Sequence, residues 1–228
     1  ASLQPLTAED IEIAVSSEGI QASRFLELLR QSNAESLAQQ PLTLRMLIRL
    51  YRQQSRLPGS RSDLFKQALL LLVSEQEERR GLGTGPPVAH SLLIDAAERL
   101  ACFTVLSGRE LIDLSDEPSK FSLGWLELAQ LPSAGVPLEE PLLRAIGRSG
   151  MCEGDGRNRF RFVHRQIAEY LAGRRLARLP LHQSRSLLAS GLGWQAGVAG
   201  ALRETAAFAA IENCDLARWV AESDPEVV

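Results

Sequence analysis

The segment RFRFVHRQIAEYLAGRRLARL, residues 159–179, changes its hydrophobic period at a histidine. Before His164, phenylalanines alternate with arginines, which is typical of a strand that buries one face. After His164, apolar residues recur at helical spacing, which predicts an amphipathic helix. A strand-to-helix joint is a rigid place from which to aim a side chain. This joint therefore constrains both the fold and the candidate site.

The elements before this joint follow the order of a winged helix. HSLLIDAAERLACFTVLSG predicts a helix and RELIDLS a short strand. SLGWLELAQL and LEEPLLRAIGRSG predict two more helices, and residues 138–149 of the second form the candidate recognition helix. A turn at Gly154-Asp155-Gly156 then leads into the return strand, since Asp-Gly between strands indicates a hairpin. This order predicts a helix-turn-helix extended by a β wing.

The first third of the chain is predicted to be helical. LTAEDIEIAVSSEG, with Thr7 as its N-cap, and ASRFLELLRQSN form the first two helices. Pro41 opens the next helix, PLTLRMLIRLYRQQ, at a first-turn position where its missing N–H costs nothing. A long helix follows in LFKQALLLLVSEQEERR. Residues 5–80 are therefore predicted to form a compact unit of four or five helices.

The predicted fold class is mainly α, with four segments. These are a helical domain at 1–82, a linker at 83–89, a winged-helix domain with a small β-hairpin at 90–180, and the start of a solenoid-like helical array at 181–228. In the last segment, LRETAAFAAI and CDLARWVAES are typical of a first repeat pair, which cannot bury both faces alone. Because the sequence also starts at Ala1 without a methionine, we expect a fragment of a longer protein.

Composition and motifs exclude several functions. The 25 basic and 28 acidic residues give a net charge of −3, which provides no general attraction to nucleic acid or to an anionic membrane. No stretch reaches the ~18–20 apolar residues of a membrane span. The three cysteines fit neither a disulfide framework nor a zinc site, so a cytoplasmic location is expected. Walker, zinc-protease and nucleophile-elbow motifs are absent, so this fragment is expected to have no enzyme activity and no metal site.

Two other functions remain as alternatives. The first is a DNA-binding winged-helix transcriptional regulator, which a basic stripe on the recognition helix would favour. That helix carries Glu139 and Glu140 against Arg144 and Arg148, and a neutral face gains little from counterion release at phosphates. Nucleic acid is therefore not an expected partner. The second is a helical protein-interaction scaffold, which would be favoured if His164 were buried and hydrogen-bonded within its own domain.

Seven arginines crowd the strand and helix around the joint. Most are expected to form salt bridges to neighbouring domains, and the alternative is an anion-facing surface. They are Arg157, Arg159, Arg161, Arg165, Arg174, Arg175 and Arg178.

The joint resembles the end of the winged-helix domain in NACHT-type NTPases. These are signal-transduction P-loop ATPases that include animal inflammasome receptors and many bacterial defence proteins. In that family a wing strand ends F-x-F-x-H, and the next helix continues x-E-[FY]-[LF]-A-A. The matching residues here are Phe160, Phe162, His164, Glu169, Tyr170, Leu171 and Ala172. Gly173 stands where a second alanine is usual, and we expect this departure to affect only local helix stability.

A second resemblance lies upstream. LAQQPLTLRMLIRLY resembles the family's helical-domain segment, in which a proline before a leucine-rich helix packs against the adenine of bound nucleotide. Pro41 matches that proline. LPGSRSDLFKQALLLLV resembles the helix that follows, P-x-x-R-x-[ED]-L-[YF]. The two matches bracket residues 5–180 in the family's order.

The resemblance implies roles for two residues in the intact protein. His164 would donate a hydrogen bond to the β-phosphate of bound ADP and hold the winged helix closed, and Pro41 would pack on the adenine. The alternatives are a structural histidine that caps the wing and a first-turn helix proline that needs no ligand.

The resemblance also implies what the parent protein would be. The P-loop domain and its Mg²⁺ site would lie upstream of Ala1, so the parent would be an ATPase that binds ADP or ATP, while this fragment would bind neither tightly. Its partners would be that upstream domain, downstream sensor repeats, and further copies in an oligomer formed on exchange to ATP. The parent would be bacterial, with a role in antiviral defence.

Overall fold

The computed structural model describes residues 5–32, 34–79, 89–124, 128, 138–156, 158–190 and 197–225. The chain divides into two compact units, Ala1–Leu71 and Leu72–Val228. Helices dominate both, and the strands are two to four residues long, so the predicted mainly α fold class is confirmed. Within the described residues, no helix combines the length and the apolar run that a membrane crossing needs. The predicted linker lies outside the described residues except for Ala89.

The first unit contains the predicted helices. They are α1 (Ala8–Ser17), α2 (Ala22–Gln31), α3 (Glu35–Ala38), α4 (Pro41–Gln54) and the start of α5 (Arg61–Arg79). Thr7 caps α1 as predicted: its hydroxyl accepts the Asp10 N–H at 3.2 Å, and the Asp10 carboxylate accepts the Thr7 N–H at 2.8 Å. The core of this unit includes Phe25, whose ring meets that of Tyr51 edge-on with centroids 5.4 Å apart.

The second unit combines helices with two small sheets. In chain order its elements are α6 (His90–Ser107), β1 (Leu111–Asp113), β2 (Ser122–Gly124), α7 (Glu140–Gly147), β3 (Cys152–Gly154), β4 (Arg159–Phe162), α8 (Arg165–Ala177), α9 (Leu181–Leu188), β5 (Ala189–Ser190), β6 (Gly197–Val198), α10 (Arg203–Glu212) and α11 (Cys214–Ser223). The larger sheet has the order β2-β1-β4-β3. The smaller one pairs β5 with β6 in antiparallel fashion.

The predicted wing hairpin is confirmed. β3 and β4 are antiparallel, with Cys152 opposite Phe162, and β1 pairs antiparallel with the other edge of β4. Gly154, predicted to be in the turn, is instead the last residue of β3, opposite Phe160. Gly156 has φ +95°, a conformation that glycine adopts without steric cost.

The prediction of a helix over residues 122–131 is wrong for the first three of these residues. Ser122–Gly124 form strand β2, which runs parallel to β1 with Leu111 opposite Ser122. The edge of β1 supplies hydrogen-bond partners that the local sequence does not reveal. Gly124 is required by close packing, because an ideal Cβ there would lie 2.7 Å from Cγ of Pro118. The rest of the predicted helix, apart from Leu128, is outside the described residues.

Helix α8 was predicted to be amphipathic, but in the structure it is buried on several sides. Residues 167–173 are all buried, and seven consecutive residues occupy every face of a helix. α8 packs against both α6 and α10 within the second unit. The tail helix α10 therefore has one of its faces covered by the helix that follows the joint.

Candidate functional site

His164 lies between β4 and α8, as the change of period predicts. Its backbone is extended, with φ −154° and ψ 141°, and it is the N-cap of α8. Its Nδ1 accepts a hydrogen bond from the Gln166 N–H at 3.2 Å. The cap satisfies one of the four N–H groups that the first turn of a helix leaves without a helical partner. His164 therefore has a structural role at the start of α8, different from the capping of the wing considered from the sequence, and this role occupies one ring nitrogen.

The cap determines where the proton of His164 is. A nitrogen that accepts a hydrogen bond has its lone pair free, so the neutral ring carries its proton on Nε2. Burial lowers the pKa of His164 below its ordinary value of 6.5, which keeps the ring neutral near pH 7. The side chain is nevertheless exposed. Among the described residues, the ring is hydrogen-bonded only at Nδ1, so the Nε2–H of this exposed residue is available as a donor.

The scaffold alternative required a His164 that is buried and hydrogen-bonded within its own domain. The histidine is hydrogen-bonded there but exposed. Only half of that condition is met.

Arg165, the next residue, is held on two sides. Its Nε donates to Oε1 of the buried Glu169 at 2.8 Å, and its Nη2 donates to the carbonyl of Ala201 at 3.1 Å. Its charge is therefore compensated within the second unit. The guanidinium also ties the first turn of α8 to the turn that precedes α10.

Most of the described arginines around the joint form salt bridges, as expected, but their partners lie in the same compact unit. Nε of Arg161 is 2.7 Å from Glu153 Oε1 on the hairpin. Arg159 instead donates from Nε to the carbonyl of Asp155 at 3.1 Å. Arg157 is outside the described residues. The three arginines at the end of α8 pair with Asp95 and Glu98 of α6: Arg174, Arg175 and Arg178.

Glu98 is the centre of that last cluster. Its side chain is fully buried, Oε1 is 3.4 Å from Nε of Arg174, and Oε2 accepts from Nη2 of Arg178. Burial raises the pKa of Glu98, and the facing arginines oppose that rise. The sequence gives no local signal for this carboxylate, because its partners are on a helix far along the chain. Through these arginines Glu98 links α6 to the end of α8.

Pro41 is at the first position of α4, as predicted. Gln40 is the N-cap and makes no side-chain capping bond. The proline is exposed, whereas Leu44 and Leu47 on the following turns are buried. Helix α4 thus begins at the predicted residue, and the apolar pyrrolidine ring of Pro41 lies at its exposed N-terminal end. Pro41 belongs to the first compact unit and His164 to the second.

The candidate recognition helix has no basic stripe. Nη2 of Arg144 is 2.6 Å from Glu140 Oε1, one turn earlier, and its Nη1 is 3.4 Å from Asn158 Oδ1. Arg148 and Glu139 are both exposed at opposite ends of the helix. One of the two arginines is therefore paired with a carboxylate of the same helix, and the helix and its ends carry two basic and two acidic side chains.

Within the described part of the chain, no three His, Cys, Asp or Glu side chains come together in a way that could hold a metal ion. Burial raises the pKa of the Cys102 thiol to about 11, so this cysteine is not a thiolate nucleophile near neutral pH. No protein-family model matches the chain, and no curated protein matches its sequence.

Proposed function

We propose that this chain is the helical and winged-helix regulatory part of a NACHT-like signalling ATPase. In the intact protein it closes over ADP and controls the change to an ATP-bound oligomer. The observation that supports this proposal is the geometry of His164, an exposed residue whose Nδ1 caps α8 and whose Nε2–H is left as an available donor.

This geometry suits a phosphate oxygen as the acceptor. The cap restricts the orientation of the ring, and the two elements that flank it fix the backbone. An N–H that donates to an anionic oxygen forms a stronger hydrogen bond than one to a neutral acceptor. The N-terminus of α8 adds partial positive charge beside the same anion. The pKa of His164, lowered by burial, keeps the ring in the neutral form that this arrangement uses.

The other parts of the switch belong to the intact parent protein. A P-loop domain upstream supplies the phosphate cradle and the Mg²⁺ site, and the ring of Pro41 packs on the adenine. ATP hydrolysis is therefore an activity of the parent and not of this chain. Downstream sensor repeats bias the equilibrium between the closed, ADP-bound monomer and the open oligomer. We place the parent in the bacterial cytoplasm, in antiviral defence. The ion pair between Arg144 and Glu140 on α7 favours this function over DNA binding.

The test compares ADP retention and oligomeric state in three forms of the intact parent: wild type, His164→Ala and His164→Asn. Asparagine is a strong N-cap, so His164→Asn keeps the cap of α8 and removes only the imidazole Nε2–H. Wild type is expected to co-purify with ADP as a monomer. Both variants are expected to lose ADP or to oligomerise spontaneously.

Two results would contradict the proposal. If His164→Asn keeps ADP while His164→Ala loses it, the cap and not the phosphate contact matters. If both variants retain ADP and remain monomeric, His164 is structural only.

A further inference from the structure

A cavity of about 190 Å³ lies beside the joint, within the second unit. Four segments line it: the C-terminal end of α6, the residue before β1, the first turn of α8 with the end of β4, and the turn before α10. Its lining residues are Thr104, Val105, Gly108, Glu110, Phe162, Arg165, Ala168 and Ala201. Because these residues come from separate segments, sequence periodicity does not reveal the cavity.

The lining combines apolar residues with one threonine and two charged residues. Val105, Phe162 and two alanines supply a hydrophobic wall. Thr104 is buried, and its hydroxyl already donates to the carbonyl of Ala101 at 2.9 Å. The charge preference of the cavity therefore depends on Glu110 and Arg165.

The two charges differ in how far they are compensated. Arg165 is paired with the buried carboxylate of Glu169 at 2.8 Å. Glu110 is exposed, and among the described residues no cation lies within ion-pair distance of it. Its recorded electrostatic interaction is with Arg161, which is itself paired with Glu153 at 2.7 Å. The uncompensated charge of the lining is thus negative.

The helix ends do not reverse this preference. α6 reaches the cavity with its C-terminus and α8 with its N-terminus, so their partial charges have opposite signs. The charge preference of the cavity therefore depends on its side chains, and Glu110 favours a cation.

We propose that this cavity binds a small organic amine, with its apolar body against Val105 and Phe162 and its ammonium group near Glu110. The volume of about 190 Å³ is below the ~300–1,000 Å³ of sites that hold drug-sized ligands, so the ligand has a single small ring or a short alkyl body. His164 is not among the lining residues, and this proposal does not depend on the nucleotide contact proposed for His164.

The experiment is an NMR titration of the ¹⁵N-labelled chain with three probes of similar shape: benzylamine, benzyl alcohol and benzoate. Benzylamine is expected to shift the backbone amides of Gly108, Ala168 and Ala201 in a saturable way, with a millimolar or tighter Kd. Benzyl alcohol is expected to bind about five-fold more weakly, because it lacks attraction to one partly exposed charge. Benzoate is expected to bind more weakly still.

Three variants make the result specific. Glu110→Gln is expected to abolish the preference for benzylamine over benzyl alcohol, and Glu9→Gln, at an exposed carboxylate on α1, is the control that leaves it intact. Ala201→Leu enlarges the side chain of an exposed lining residue and is expected to weaken binding of all three probes. Equal binding of benzylamine and benzyl alcohol to wild type would overturn the proposal. So would unshifted lining amides, a preference that survives in Glu110→Gln, or binding unaffected by Ala201→Leu.

Discussion

Gly173 on α8 and Phe208 on α10 are so close that an ideal Cβ on the glycine would lie 2.7 Å from Cβ of Phe208. The same Cβ would also meet two backbone atoms, the Thr205 oxygen at 2.9 Å and the Ala209 nitrogen at 3.0 Å. Glycine is therefore required by the crossing of the two helices. Gly173 is thus explained by a tertiary contact, and the expectation that the glycine at this position affects only local helix stability is wrong.

Gly173→Ala is expected to destabilise the chain by about 1–3 kcal/mol, because the added methyl group meets backbone atoms that cannot rotate away. Helix propensity alone predicts the opposite sign, since alanine is favoured over glycine by about 1 kcal/mol within a helix. Urea unfolding followed by circular dichroism measures the difference. A gain in stability would show that α8 and α10 are not in close contact.

The cap of α8 can be tested separately from any nucleotide. His164→Ala removes the acceptor of the Gln166 N–H and is expected to cost about 0.5–1 kcal/mol of unfolding free energy. His164→Asn supplies another capping acceptor and is expected to leave stability unchanged within about 0.3 kcal/mol. Equal losses in the two variants would mean that the imidazole stabilises the chain in some way other than as a cap.

The contribution of His164 to the unfolding free energy is expected to decrease as the pH falls. Burial lowers its folded pKa below the ordinary 6.5, so the unfolded chain takes up the proton first as the pH falls. The stabilising contribution of His164 is complete above the unfolded pKa and is lost as the pH falls through the folded pKa. The unfolding free energy of wild type minus that of His164→Asn is therefore expected to decrease between about pH 7.5 and about pH 5. A constant difference would rule out the lowered pKa.

Glu98 is expected to contribute more to the unfolding free energy than its neighbour Asp95. Glu98→Ala leaves Arg174 and Arg178 without their fully buried partner, which is expected to cost about 2–3 kcal/mol after allowance for the exposed half of Arg178. Asp95 is 29% exposed, so the control variant Asp95→Ala is expected to cost less than about 1 kcal/mol. Urea unfolding of both variants gives the comparison, and similar costs would contradict the central position of Glu98.

The features predicted correctly from the sequence depend on near neighbours in the chain. The Thr7 cap needs only Asp10, three residues away. The first-turn position of Pro41 follows from its own ring. The hairpin before His164 depends on a short Gly-Asp-Gly segment and on alternating phenylalanines. In each case the interaction that determines the structure spans only a few residues, so it can be predicted from the local sequence pattern.

The features that were missed depend on partners far along the chain. Strand β2 forms because the edge of β1 is available, although SLGWLELAQL reads as a helix by itself. The close approach at Gly173 needs α10, and the charge of Glu98 is opposed by arginines at the end of α8. The hydrogen bond that the His164 ring accepts from the Gln166 N–H could have been inferred, since an extended residue before a helix is a capping position.

Helix α8 has one further consequence for how the joint can move. Because residues 167–173 are buried all round, their amide protons are expected to exchange with solvent only when the second unit opens as a whole. α6, α8 and α10 then act as one cooperative body. Rotation of α8 alone would break its packing against both neighbours, so a displacement of His164 must carry all three helices with it.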